Sequence, residues 1–192
     1  MIEAKTRVRI PRERLGVLIG PNGTTKLHIE KALNVNMTVN SEDGNVELEL
    51  KSDAQDPTQI FRAKNVVTAI SRGFSPNSAL RLLDEDTNIE IIDIRDLFKS
   101  QSDIQRVKGR IIGRGGKTRR IIEELTGVDI RVYGNTVSLI GGIGFEVAKE
   151  AVRMLIEGRQ HNTVYRFLHR KKRKLKEEEM QIWKPTPKEM EE

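Results

Sequence analysis

The ten residues Val17 to Lys26, Val-Leu-Ile-Gly-Pro-Asn-Gly-Thr-Thr-Lys, return 93 positions later as Arg110 to Arg119, Arg-Ile-Ile-Gly-Arg-Gly-Gly-Lys-Thr-Arg. The register then holds without a gap to Val39 and Val132. Of the 23 paired positions eight are identical: Ile19/Ile112, Gly20/Gly113, Gly23/Gly116, Thr25/Thr118, Ile29/Ile122, Glu30/Glu123, Val35/Val128 and Val39/Val132. A repeat of this length means that one supersecondary unit is used twice, and it decides how the remaining pattern is parsed. Before the first loop, Lys5–Ile10 alternates as a half-buried strand and Pro11 opens a short helix. After it come a second helix to about Leu33, a strand at Val35–Val39, a turn at Glu42–Asn45, a strand at Val46–Leu50, and a helix starting at Asp56-Pro57-Thr58. The second copy repeats the order. Ile89–Ile94 is a strand, Ser102-Asp103 starts a helix to Ile112, and Gly116–Thr126 is a helix stopped by Gly127. Val128–Tyr133 and Thr136–Ile140 form a hairpin, and Phe145–Ile156 is the last helix of the unit. The expected fold class is α+β, with β-α-α-β-β-α built twice.

The expected boundaries are a first unit at 1–73, a linker at 74–86, a second unit at 87–158, and a basic helical tail at 159–192 with a disordered end. A linker this short and apolar predicts units that pack together. With 36% hydrophobic residues, the chain can fill two modest cores. No apolar run reaches membrane-spanning length and no signal-peptide pattern opens the chain, so a cytoplasmic protein is expected, with no membrane contact. Cysteine is absent, which removes disulfides, thiolate metal sites and thiol nucleophiles together.

The net charge of +6 is modest, so its placement matters more. Between Ile104 and Ile122 lie Arg106, Lys108, Arg110, Arg114, Lys117, Arg119 and Arg120, with no acid among them. That field is centred on the second glycine loop and suits an anionic ligand.

A lone Gly-x-x-Gly is weak evidence, and the chain has three. Gly141/Gly144 follows a strand and lacks both the apolar helix before it and basic neighbours, so it reads as a plain turn. The other two each join an apolar helix to a polar one. Two helices meeting across four residues need positive φ or tight packing at both corners, which glycine supplies. The bare corners let a sugar-phosphate backbone lie on the peptide, and the following helix offers free N–H groups to a phosphate. The candidate RNA-binding residues are therefore Gly20, Pro21, Asn22, Gly23 and Lys26 in the first copy. In the second they are Lys108, Arg110, Gly113, Arg114, Gly115, Gly116, Lys117, Arg119 and Arg120. An aspartate at Gly113 or Gly116 is expected to block binding with the fold intact.

This layout resembles the type I KH domain, whose G-X-X-G loop clamps about four nucleotides of a single strand. The resemblance covers about residues 4–73 and 87–158. It departs at Lys26 and Arg119, where KH domains usually carry an apolar residue; here they read as added phosphate contacts. By the same resemblance, Arg131 stands on the far groove wall as a candidate base reader.

Two such units, with Ile-Ile-Gly-Arg-Gly-Gly-Lys-Thr-Arg-Arg in the second and His-Asn-Thr-Val-Tyr-Arg-Phe-Leu after it, resemble the partner-of-NOB KH proteins of small ribosomal subunit assembly. That resemblance implies binding of single-stranded rRNA near the 3′ end of the small-subunit RNA. It also implies cooperation with the rRNA-maturing endonuclease or another assembly factor. A monomer is expected.

The alternatives left open are a tandem-KH regulator of mRNA and the RNA-entry subunit of an RNA-degrading complex. A P-loop is excluded at the second copy, because Ile111 stands where its first glycine belongs and a helix precedes the loop. Asp84-Glu85-Asp86 reads as a solvated turn, and His28, His161 and His169 have no ligand spacing. No nucleophile lies beside a base, so no catalytic residue, metal or cofactor is expected. The Arg170–Lys174 run reads equally as an RNA contact or a solvated helix face. Trp183 reads as a pin for the tail, and Tyr133 as core of the hairpin.

Overall fold

The computed structural model describes residues 5–54 and 56–182. Trp183 and the closing residues, and with them the expected disordered end, lie outside the described residues. The chain is mixed α+β, with two three-stranded antiparallel sheets.

The first sheet holds β1 (Lys5–Arg9), β2 (Val35–Val39) and β3 (Asn45–Leu50), with β3 central. Between β1 and β2 lie α1 (Arg12–Ile19) and α2 (Thr24–Ala32), and α3 (Gln59–Ser71) follows β3. Val8, Met37, Val46 and Leu48 point from the sheet into a core closed by Leu15, Leu18, Ile29, Ala63, Val67 and Ile70 from the helices. This is the arrangement that the alternation in the strands and the stripe in α3 dictate. The sheet's other face, with Arg7, Asn36, Thr38 and Glu47, is exposed.

Residues 74–83 are folded rather than extended. Ser75 caps α4 (Pro76–Leu80) by accepting from Ser78 N, and a 3-10 turn follows at Arg81–Leu83. Phe74, Ala79 and Leu82 are buried with the first core.

The second sheet holds β4 (Asn88–Asp93), β5 (Asp129–Tyr133) and β6 (Thr136–Gly141), with β6 central. A one-turn helix, α5 (Ile94–Leu97), leads to α6 (Gln101–Ile112), α7 (Lys117–Thr126) and α8 (Phe145–Ile156). The strand expected to reach Ile94 stops at Asp93 because that residue caps α5. Its carboxylate accepts from Arg95 N at 3.0 Å and from the Arg95 guanidinium at 2.5 Å. The tail forms α9 (His161–Ile182), whose Val164 and Leu168 enter the second core.

The two units meet through β6, which is buried along its whole length. Val137 and Leu139 face the second core, while Ile140, on the opposite face, belongs to the first. Around this seam Arg81 donates to Asp129 at 2.9 Å and to Gly127 O at 3.1 Å. The Arg131 guanidinium lies 5.6 Å from the centre of the Phe74 ring. Tyr133 does not pack in the core of the hairpin. Its ring lies against Gly73, where a Cβ would come within 3.1 Å of the Tyr133 Cβ, and its hydroxyl donates to Glu13.

The Asp93–Arg95 pair gives an expected pH dependence. Hydrogen bonding from Arg95 holds the Asp93 carboxyl down at about 2, below its ordinary 3.8. Its stabilisation is therefore present above pH 4 and is lost as pH falls through 2. Thermal melts of Asp93→Asn should show a shallower loss of stability between pH 4 and 2 than the parent.

Candidate nucleic-acid interface

The two loops superimpose in backbone conformation. Gly20 and Gly113 lie at φ 74° and 73°, and Gly23 and Gly116 both at 78°. The third residue of each loop is also left-handed, Asn22 at φ 51° and Gly115 at 58°. Asparagine tolerates this region better than most residues, which is how the first copy keeps the loop without a third glycine. Gly141 and Gly144 share none of this. Neither has positive φ, and their role is close approach: a Cβ on Gly144 would lie 2.0 Å from Thr126 O.

The outer glycine of each loop has a second reason to be bare. A Cβ on Gly113 would fall 2.2 Å from Thr118 Oγ1, and on Gly20 2.3 Å from Thr25 Oγ1. These threonines are identical in the repeat because they sit directly beneath the glycine corner. At Gly23 a Cβ would meet nothing within 4 Å, and at Gly116 only the Arg119 guanidinium at 4.0 Å, so the inner corners are open.

The repeated glutamate is explained in the same way. Glu30 Oε1 accepts from Met37 N at 2.7 Å, and Glu123 Oε1 from Ile130 N at 2.9 Å. Each ties its helix to the neighbouring strand. Each also faces the cation four residues back: Lys26 lies 3.8 Å from Glu30, and Arg119 3.6 Å from Glu123. Lys26 and Arg119 are thus part-buried and neutralised by a carboxylate, so they form wall more than free charge. Arg131 joins the same carboxylate at 3.1 Å and donates to its own Ile130 O. With Phe74 below it, Arg131 is held rather than extended into open solvent.

Charge is what separates the two loops. The second copy's Arg106, Lys108, Arg110, Arg114, Lys117 and Arg120 replace Glu13, Leu15, Val17, Pro21, Thr24 and Leu27 of the first. Lys108, Arg114 and Lys117 have no side-chain partner among the described residues. Arg120 curls back to Gly115 O at 3.1 Å and braces the loop. Arg110 is engaged: it donates to Leu155 O at 3.1 Å and to Arg159 O, capping the end of α8. Arg14, one helical turn away from the matching column, does the same for α3 through Ile70 O and Phe74 O. At the first loop Leu27 is exposed, Arg12 is drawn to Glu42 O, and Pro21-Asn22 carries no charge.

Two further residues at the loop are not singled out by the motifs as site residues, although both fall in the His161–Leu168 stretch that carries the family resemblance. His161 Nε2 lies 3.0 Å from Arg110 O, and Tyr165 Oη lies 3.0 Å from Thr118 Oγ1. They bring α9 against the second loop, and no repeat signal marks them because α3 is followed by short α4 rather than by a long helix. Elsewhere, Glu85 pairs with Arg62 at 2.5 Å and Asp84 accepts from Asp86 N, so the acidic turn closes on itself. Among the described residues no three metal-ligating side chains come together, and no helix is long and apolar enough to cross a membrane.

The profile of the second KH domain of PNO1, a eukaryotic-type KH domain (KH-domain type I), matches residues 88–173. The KH domain-containing protein MJ0443 of Methanocaldococcus jannaschii is 43% identical over 178 residues, covering 92% of this chain and 78% of that protein. The pre-rRNA-processing protein pno1 of Schizosaccharomyces pombe is 31% identical over 176 residues, covering 89% and 72%. Among solved structures, that of an a/eIF2alpha–aDim2p–rRNA complex from Pyrococcus horikoshii matches with a TM-score of 0.83 at 43% identity. The match covers 91% of this chain and 97% of the other.

Proposed function

The chain belongs to the PNO1-type family of KH-domain proteins, and on that footing we propose that it binds single-stranded rRNA during small ribosomal subunit assembly. Two tandem type I KH units, at 1–73 and 87–158, carry the binding, and the second loop is the principal clamp. The observation that supports this most is the pairing of one loop conformation with two charge states. The backbone frame is the same at Gly20–Gly23 and Gly113–Gly116, but Lys108, Arg114 and Lys117, which have no side-chain partner among the described residues, gather at the second. A phosphate laid on the glycine corners there meets the free N–H groups of α7 and the side chains of Arg114 and Lys117. Lys108 extends the positive field along α6. Arg131 reads a base edge from the wall, with Glu123 and Phe74 fixing its direction.

The family relation supports a target near the 3′ end of the small-subunit rRNA. There the protein works as a cytoplasmic monomer beside the endonuclease that matures that end. Non-enzymatic action follows from the same reading, since the site offers cations and backbone donors and no nucleophile. Crosslinking the protein to RNA in its native cell and sequencing the bound fragments tests the target. Reads should concentrate near the 3′ end of the small-subunit rRNA and its precursor, with the protein sedimenting with small-subunit particles. Reads scattered over many transcripts would favour an mRNA regulator and overturn the assembly role.

A further inference from the structure

The second loop has a flank that the first lacks. On α7, Arg119 and Glu123 share the face turned to β5, whereas Thr118 lies about 100° round the helix, on the face turned to α9. The loop is therefore a ridge with the strand wall on one side and a hollow on the other. That hollow has a volume of about 410 Å³ and lies between α6, the loop, the start of α7 and the start of α9. Arg106, Arg114 and Lys117 line it, together with His161 and Tyr165, and no acidic residue does.

We infer that this hollow holds one further nucleotide of the bound strand, with its phosphate on Arg114 and Lys117 and its base against the ring of Tyr165. The inference rests on the proposed binding of single-stranded RNA and adds a subsite to it. The volume lies within the range of small-ligand pockets and suits a single nucleotide. Its chemistry is that of a strand-tracking site, with cations for the backbone and an aromatic face for any base. The aromatic wall is fixed before RNA arrives. Val164 and Leu168 are buried beneath it, the Tyr165 hydroxyl is bonded to Thr118, and His161 is bonded to Arg110 O. Little side-chain freedom is lost on binding, which favours affinity. A strand that crosses the glycine corners and leaves on the α9 side enters the hollow directly.

The test uses the unmodified protein and single-stranded oligonucleotides carrying one 5-iodouridine at successive positions. After irradiation, mass spectrometry identifies the crosslinked peptide. A crosslink to the peptide bearing His161 and Tyr165 is expected, from a nucleotide next to those that reach the glycine loop. Fluorescence anisotropy gives the second readout. Tyr165→Ala should weaken an eight-nucleotide RNA roughly tenfold more than a four-nucleotide RNA, as loss of one stacked base does. Tyr165→Phe keeps the ring, drops the bond to Thr118, and should bind both RNAs nearly as the parent does. Crosslinks confined to the loop and β5 would overturn the subsite. So would equal losses from Tyr165→Phe and Tyr165→Ala, since Tyr165 would then only prop the loop. Failure of the parent to bind any single-stranded RNA would instead remove the proposed function itself.

Discussion

Gly116→Asp is expected to lower affinity for single-stranded RNA on the order of a hundredfold while the protein still melts within a few degrees of the parent. The carboxylate would stand where a phosphate lies, cancelling about two charge-assisted contacts worth about 1.5 kcal/mol each. The position accepts a side chain: the nearest atom to an added Cβ is the mobile Arg119 guanidinium at 4.0 Å. The remaining cost is the left-handed backbone at φ 78°, about 1 kcal/mol for an aspartate. Gly113→Asp should behave differently, contrary to the expectation from sequence that the fold would survive it. Its Cβ would lie 2.2 Å from Thr118 Oγ1 and 2.8 Å from Thr118 N. Thr118 lies in the first turn of α7 and its backbone cannot yield without moving the helix, so a loss of about 3 kcal/mol or more of stability is expected alongside the loss of binding. The first copy should repeat the split, with Gly20→Asp damaging the fold and Gly23→Asp sparing it. Filter binding and thermal melts on the four variants separate the two effects. Equal melting temperatures for Gly113→Asp and Gly116→Asp would show that the threonine beneath the loop can move aside.

Glu123→Ala should destabilise the protein by about 2–3 kcal/mol in denaturant unfolding, more than any other single change at the polar wall. Removing this carboxylate strands the Ile130 N–H, which is part-buried, and leaves Arg119 and Arg131 facing each other without a counter-charge. Glu123→Gln keeps an acceptor for Ile130 N and should cost about half as much. Glu30→Ala should cost less than Glu123→Ala, because Glu30 faces one cation where Glu123 faces two. If the alanine and glutamine variants unfold at the same denaturant concentration, the charge matters and the backbone hydrogen bond does not.

The parts of the fold that the sequence displayed are those carried by short-range signals. Val35–Val39 and Phe145–Ile156 begin and end where alternation, turn residues and Gly144 put them. The loops were legible because glycine at two corners leaves a mark in any single chain, and repetition raised that mark above chance. The same repetition printed Thr25/Thr118 and Glu30/Glu123 as identities, but their reasons are tertiary: one lies under a corner, the other reaches a strand seven residues on. Identity shows that a contact exists without showing to what. Arg110 illustrates the opposite limit. Its charge and its place before the loop suggested phosphate, yet its guanidinium serves the carbonyls at the end of α8, a partner 45 residues away. His161 and Tyr165 stood in the stretch that carries the family resemblance, but the repeat could not mark them as site residues because the first copy has no counterpart.

β6 is a strand with two interiors. Its alternate side chains complete different halves of the molecule, Leu139 one and Ile140 the other. A polypeptide emerging from synthesis can therefore close its first half only provisionally, since one hydrophobic plug arrives almost seventy residues after the last residue of α3. Conversely, cutting the chain between the halves would leave the later fragment with Ile140 and Ile89 stripped of the core they complete. Such a molecule should lose structure in a single cooperative step, and it ties the pitch and spacing of the two loops to one rigid frame. The repeated loop occurs twice, and a single strand shared between the two cores holds both copies in one frame.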